Sequence, residues 1–209
     1  MNESDQQWIQ WIRELRAMSQ NGLVHTKNPF DIERYERLGA LAREMFAAIG
    51  DVPLEKIEDF FVPDSGYCTP KVDLRAGVFE DDRILLVHEK SDNKWSMPGG
   101  WADVNETPSQ GVKREIVEES GYIVDEVELV SVIDRSAHPY TPRYPHHVYK
   151  LFFYGLPAGR TEISHLHETA DARFFGFDEL PELSETRVLR QDIDRLFEYH
   201  REKQHVYVD

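Results

Sequence analysis

One stretch, residues 98–122, constrains this chain more than any other: PGGWADVNETPSQGVKREIVEESGY. It specifies a helix at both ends. Thr107 offers its hydroxyl as an N-cap, Pro108 takes the first helical position, and Gln110 completes a capping box. Gly121 stands where a left-handed residue closes the helix. A helix over 108–120 follows, and its last turns break local rules. Glu115, Glu118 and Glu119 fall at i, i+3 and i+4, so they share one face and repel each other. They also lie at the negative end of the helix dipole, where each carboxylate is disfavoured by ~0.3–1 kcal/mol. Alone, three such glutamates would also describe a solvated helix face. Broken rules gathered in one place point to a site. Three convergent carboxylates supply the oxygen ligands that Mg²⁺, or Mn²⁺ in its place, requires.

The residues around the helix fit that reading. Pro98-Gly99-Gly100 is a turn with little side-chain bulk, able to bring a backbone carbonyl to a metal and to let a diphosphate approach. Glu106 and Arg114, at the two ends of the loop–helix unit, can pair and brace it.

The rest of the chain reads as two parts: a helical N-terminal domain, 1–66, and an α/β domain, 67–209. In the first, Ser4 and Gln7 form a capping-box pattern, and Trp8, Trp11, Ile12, Leu15 and Met18 recur at helical spacing. The predicted helix runs over 4–19 and ends at Ser19-Gln20-Asn21-Gly22. A second, over 31–49, carries Ile32, Tyr35, Leu38, Ala42, Met45 and Ile49. A third, short helix is predicted over 53–61. From residue 67 the pattern changes to strands, predicted at 72–79, 84–88, 122–133 and 147–154, with another at Phe174-Phe175. A closing helix is predicted over 184–203.

Composition narrows the class. The 209 residues are 40% hydrophobic and 11% aromatic, values of a folded globular protein. The net charge is −15, and both parts are acidic. Long-range attraction to nucleic acid or an anionic membrane is therefore unfavourable, although an acidic chain can bind anionic substrates through divalent cations. The single cysteine excludes an internal disulfide, and no apolar run is long enough for a membrane span. A cytoplasmic protein is expected.

The spacing Gly100, five residues, Glu106, seven residues, Arg114-Glu115-Ile116-Val117-Glu118-Glu119-Ser120-Gly121 resembles the complete Nudix box. Tyr122 departs from it, standing where an aliphatic residue is usual. The resemblance implies an α/β fold, an α/β/α sandwich around a mixed sheet, here preceded by the small all-α domain. It implies a hydrolase of nucleoside diphosphates linked to a further group X. Carried over residue by residue, it makes Glu115, Glu118, Glu119 and the Gly100 carbonyl metal ligands, and Arg114 and Glu106 the bracing pair. Residues 95–104, 146–150 and 168–175 are similar to a Nudix branch with a helical N-terminal domain. That branch contains CDP-choline pyrophosphatases and proteins labelled ADP-ribose pyrophosphatases.

Outside the box, Glu168 precedes a late strand and is either a fourth ligand or water-activating base, or a surface glutamate; Asp171 is its rival. Arg75, Arg143, Tyr149 and Lys150 are candidate substrate contacts, with an ordinary surface role the alternative for the three cations. His138, His146, His147, His165 and His167 come without the paired cysteines or helix-spaced His-Glu motif of a zinc site, and the aromatic segment 134–150 reads either as a loop that stacks on a base or as a Pro-stiffened connection. The expected reaction is Mg²⁺-dependent cleavage of NDP–X to NMP and phospho-X, with CDP-choline ahead of ADP-ribose. A non-catalytic nucleotide sensor is the alternative of another class, and RNA a side substrate at most. The large apolar stripes on the N-terminal helices predict a homodimer.

Overall fold

The computed structural model describes residues 3–50, 66–161 and 169–209. They form two compact units, Met1–Pro70 with Arg143–His147, and Lys71–Pro142 with Val148–Asp209.

The first unit is built on two helices, α1 (Glu3–His25) and α2 (Pro29–Gly50). Their shared core holds Ile12, Ala42 and Phe46, with Leu15, Met45, Ala47 and Ile49 packed against it. α1 runs a full turn and a half beyond its predicted end. The polar residues expected to stop it have partners instead: Ser19 Oγ donates to the Tyr35 carbonyl at 2.7 Å, and Gln20 Nε2 to that of Gly66 at 3.0 Å. Asn28 caps α2, accepting from the Phe30 amide at 3.0 Å. Segment 143–147 belongs with these helices: Arg13 Nε donates to the Tyr144 carbonyl at 3.1 Å, and Arg16 Nη1 to His146 Nδ1 at 2.8 Å. The two-part reading placed this segment with the strands. The helix predicted over 53–61 lies outside the described residues.

The second unit is an eight-stranded mixed sheet between two helices. Its strands are β1 (Lys71–Glu80), β2 (Arg83–Glu89), β3 (Lys94–Ser96), β4 (Gly99–Trp101), β6 (Val127–Asp134), β7 (Val148–Gly155), β9 (Thr169–Phe175) and β10 (Tyr207–Val208). A separate pair, β5 (Tyr122–Ile123) with β8 (Gly159–Arg160), lies outside that sheet. The sheet order is β10-β6-β7-β1-β2-β3, with β4 on β1 and β9 on β2. β1 is the centre: it runs parallel to β7, and pairs antiparallel with β4 through residues 73–75 and with β2 at its far end. Asp81 and Asp82, with φ of 49° and 57°, close the two-residue β1–β2 hairpin, a turn that short acidic side chains tolerate.

The two faces of β1 carry two cores. Leu74, Ala76 and Val78 pack with Val112 and Ile116 of α3 (Pro108–Ser120). On the other face, Phe79 packs with Phe152, Tyr154 and the Ile193, Leu196 and Phe197 stripe of α4 (Arg190–Arg201). Each fully buried Val, Leu, Ile or Phe among these is worth ~1.5–3 kcal/mol of transfer free energy. Among the described residues, no helix is long and apolar enough to cross a membrane.

Two expectations are corrected. The predicted strand at 122–133 is two strands, because β5 pairs with β8 rather than continuing into β6. The closing helix starts at Arg190, not at 184. Ser184 is tied to β3 by its amide, which donates to the Trp95 carbonyl at 2.8 Å, and Asp192 accepts from the Leu189 amide at 2.8 Å, fixing the helix start there.

Candidate active site

α3 forms as its caps dictate. Thr107 Oγ1 accepts from the Gln110 amide, and Gln110 Oε1 accepts from the Thr107 amide at 2.9 Å. At the other end Gly121 adopts φ 71° and donates to the Val117 carbonyl. The helix therefore delivers Glu115, Glu118 and Glu119 at a fixed register beside the turn that enters β4.

Glu119 is held at two points. Its Oε2 accepts from the Gly99 amide at 2.9 Å, and its carbonyl, one of the orphans of the helix end, accepts from the buried Thr169 hydroxyl at 3.0 Å. Burial pushes the Glu119 carboxyl up to about 8; the Arg75 guanidinium and Gly99 amide oppose this, and Glu89 and Glu115 add to it. Burial also raises Glu115, with Arg114 acting in the opposite sense. A methyl group on Gly100 would stand 2.9 Å from Glu115 Oε1, so the missing side chain there is what leaves room beside the carboxylate.

Arg114 gathers the acids. Its Nε donates to both oxygens of Glu106 at 3.1 Å, and its Nη1 to Glu115 Oε1 and Glu118 Oε2, each at 2.9 Å. Its Nη2 lies 3.2 Å from Asp103 Oδ2. Burial alone would lower its affinity for the proton, but these carboxylates raise it further. Because Arg114 draws Glu115 and Glu118 to itself while Glu119 turns to Gly99, no group of three His, Cys, Asp or Glu among the described residues stands ready-made around one metal position. The donors all belong to one helix end and the adjoining turn. They are hard oxygens, as Mg²⁺ or Mn²⁺ requires.

The other candidates divide. Tyr149 is exposed on β7 and pairs with Val72, on the sheet face that carries α3. Arg143 lies in the segment that packs with the helical unit. Glu168 lies outside the described residues. Asp171 is occupied at the start of β9, paired with Arg173 and accepting from the Ala172 amide.

Arg75 and Lys150, candidate substrate contacts with a surface charge as the alternative, are both buried, 5% and 1% exposed. Arg75 Nε and Nη2 donate to the two oxygens of Asp73, at 3.0 and 3.3 Å, and Nη1 donates to the Met97 carbonyl at 3.1 Å. Lys150 Nζ donates to Asp73 Oδ1 at 2.8 Å and lies over the rings of Tyr140 and Phe152. Burial works to raise the Asp73 carboxyl, yet Arg75 and Lys150 together hold it below its ordinary range. Sequence reasoning passed over Asp73 and Thr169, and read Gly99 only as part of a turn, not as the donor to Glu119. Charges at positions 73 and 75 share one face of an otherwise apolar strand, and that spacing signals a buried pair.

Residues 71–197 match the NUDIX domain family, and residues 6–61 match a UDP-X-like, N-terminal oligomerisation domain. The chain belongs to the Nudix family, and is a Nudix hydrolase with pyrophosphatase-named relatives. It is similar to the putative ADP-ribose pyrophosphatase YjhB of Bacillus subtilis, 39% identical over 93% of this chain and 92% of that one. Among solved structures it is similar to a UDP-X diphosphatase, with a TM-score of 0.57 and 32% identity over 98% of this chain and 99% of that one. An ADP-ribose pyrophosphatase from Streptococcus suis matches with a TM-score of 0.60 and 33% identity, over 68% of this chain and all of that one.

Proposed function

We propose that the protein uses Mg²⁺ to hydrolyse the diphosphate of a nucleoside diphosphate linked to a group X, giving NMP and phospho-X. The observation that carries this is the end of α3: three glutamates on one face, one of them anchored to the Gly99 amide of the turn entering β4. In the reaction a water oxygen bonds to one phosphorus, the bridging P–O bond breaks, and the water proton passes to a carboxylate. Glu115, Glu118 and Glu119, with the Gly100 carbonyl, are the residues that would hold the ion. When bound, a divalent ion neutralises diphosphate charge and lowers the pKa of coordinated water. Glu106 and Arg114 keep the loop against the helix. Arg114 also occupies Glu115 and Glu118, and would have to share those two carboxylates when they hold the ion. Glu168 is the proposed water-activating base, and Tyr149 a proposed substrate contact.

The relatives named above carry ADP-ribose and UDP-X in their names, so these head the substrate panel, with CDP-choline beside them. Purified protein incubated with Mg²⁺ and this panel, and read by the mass of the products, tests the proposal. Release of NMP from at least one compound is expected, abolished by EDTA. A nucleotide sensor would leave every compound intact.

The same reading makes the protein a cytoplasmic homodimer through its helical unit. Trp8 and Trp11, packed edge to face at 5.0 Å, are 43% and 45% exposed, and Phe30 is exposed as well. Apolar area of this kind marks an interaction surface. In the dimer these helices help wall the partner's substrate pocket. Light scattering should give twice 24.4 kDa. A monomer at micromolar concentration would remove the dimer but not the hydrolase.

A further inference from the structure

Three buried charges, Lys150, Asp73 and Arg75, stand in a row across β7 and β1. Ions buried in this way are weak stabilisers, since apolar residues of similar size do as well or better in such places. What the row does provide is a fixed direction for one guanidinium. Asp73 grips Arg75 through two donors, and Lys150 grips Asp73. The remaining arm of Arg75, Nη1, then meets the Met97 carbonyl. The next carbonyl, that of Pro98, accepts from the Ala76 amide at 3.0 Å. Two successive carbonyls are thus fixed by two successive residues of β1. The Pro98 carbonyl and the Gly99 amide belong to one planar peptide group. Fixing the carbonyl therefore aims the N–H, and that N–H is the one that holds Glu119 Oε2.

We propose that Arg75, anchored by Asp73, is a positioning residue: by holding the Met97 carbonyl it fixes the Met97–Pro98 peptide group, next to the Pro98–Gly99 group that the Ala76 amide holds, and so helps aim the Gly99 N–H at the Glu119 carboxylate. The inference rests on the hydrolase reading above, in which Glu119 is a ligand, and it assigns Arg75 no contact with substrate. Its chemistry is specific to arginine. Lysine would restore the charge but not the fork that grips a carboxylate with one edge while donating to a carbonyl with the other.

The test is made on the full-length protein with Arg75→Met and Arg75→Lys. Arg75→Met leaves Lys150 and Asp73 as a balanced pair but also removes the cation that lowers the buried Glu119 carboxyl, a charge that Arg75→Lys retains. Three measurements are made: steady-state kinetics (kcat and KM) on the compound that the wild type cleaves, Mn²⁺ affinity without substrate by electron paramagnetic resonance, and the ¹H–¹⁵N shift of the Gly99 amide. For Arg75→Met, kcat should fall by about a hundredfold, the scale of an ångström of misplacement at a reacting centre, with KM unchanged. Mn²⁺ should bind more weakly and the Gly99 amide should shift. Arg75→Lys should lie between the two proteins on all three measures. A raised KM with kcat intact would overturn the proposal in favour of a substrate contact. A fallen thermal midpoint with normal kcat, Mn²⁺ affinity and Gly99 shift would reduce Arg75 to a structural role and also overturn it. If Arg75→Met does not fold, Arg75→Lys, which keeps the buried charge, decides by the same readings. If the wild type cleaves nothing, the hydrolase reading fails, while Mn²⁺ affinity and the Gly99 shift still judge this proposal.

Discussion

The amide of Gly99 donates to Oε2 of Glu119 across 2.9 Å, joining the start of β4 to the last turn of α3. The contact depends on glycine twice. Gly99 has φ of +145°, and a methyl group there would lie 1.9 Å from the Leu74 carbonyl oxygen. Gly99→Ala therefore faces a strained backbone, about 1–3 kcal/mol by itself, plus a collision with β1. A lowered thermal midpoint and loss of diphosphate cleavage are expected. A variant with wild-type midpoint and activity would show that β4 can shift without consequence.

Glu119→Gln separates the ligand from the prop. The amide oxygen can still accept from Gly99, so the turn stays in place, and one buried carboxylate is exchanged for a neutral group. The thermal midpoint should stay level or rise. Turnover at saturating Mg²⁺ should fall by several orders of magnitude. Near-normal kcat in this variant would remove the proposed role of Glu119.

Arg114 shares its Nε–H between both oxygens of Glu106, and each side chain is about three-quarters buried. A double-mutant cycle with Arg114→Lys and Glu106→Gln should return a coupling of about 0.5–3 kcal/mol in urea unfolding, the range for contacting groups in one network. Arg114→Lys should also alter Mg²⁺ dependence, because Nη1 is the present partner of Glu115 and Glu118. Additive effects would mean that the pair does not act as a brace.

What could be read in advance follows from how local each signal is. α3 was legible end to end, because Thr107, Gln110 and Gly121 act within a few residues of the helix they limit. The Glu106–Arg114 pair was legible for the same reason. α1 was mistaken at its end, because the groups that satisfy Ser19 and Gln20 come from Tyr35 and from Gly66, far along the chain. Arg75 and Lys150 were read as substrate contacts or surface charges, and their burial was not legible, because an isolated cation in a sequence says nothing of its burial. Their shared partner Asp73 meets Lys150 only once β7 is laid parallel to β1. Thr169 was silent altogether: a threonine opening a strand is unremarkable until its hydroxyl meets the Glu119 carbonyl.

Lys150 also sets a pH dependence outside the proposed ligands. Burial, assisted by Arg75 and opposed by Asp73, brings its ammonium down to about 8 from an ordinary 10.5. The unfolded chain thus keeps this proton over a range in which the folded chain has released it. Below pH 8 both states hold the proton and the contribution to stability is constant. Between about 8 and 10.5 the unfolded state binds more protons, so unfolding becomes harder as pH rises. Lys150→Met lacks this group, and it also relieves the carboxyls of Asp73 and Asp192 of the charge that lowers them. The stability of the wild type relative to Lys150→Met, from urea midpoints taken pH by pH, should climb through this window. A difference that stays flat or falls would show that Asp73 keeps Lys150 charged well above 8. The buried row would then act as a salt bridge throughout the alkaline range.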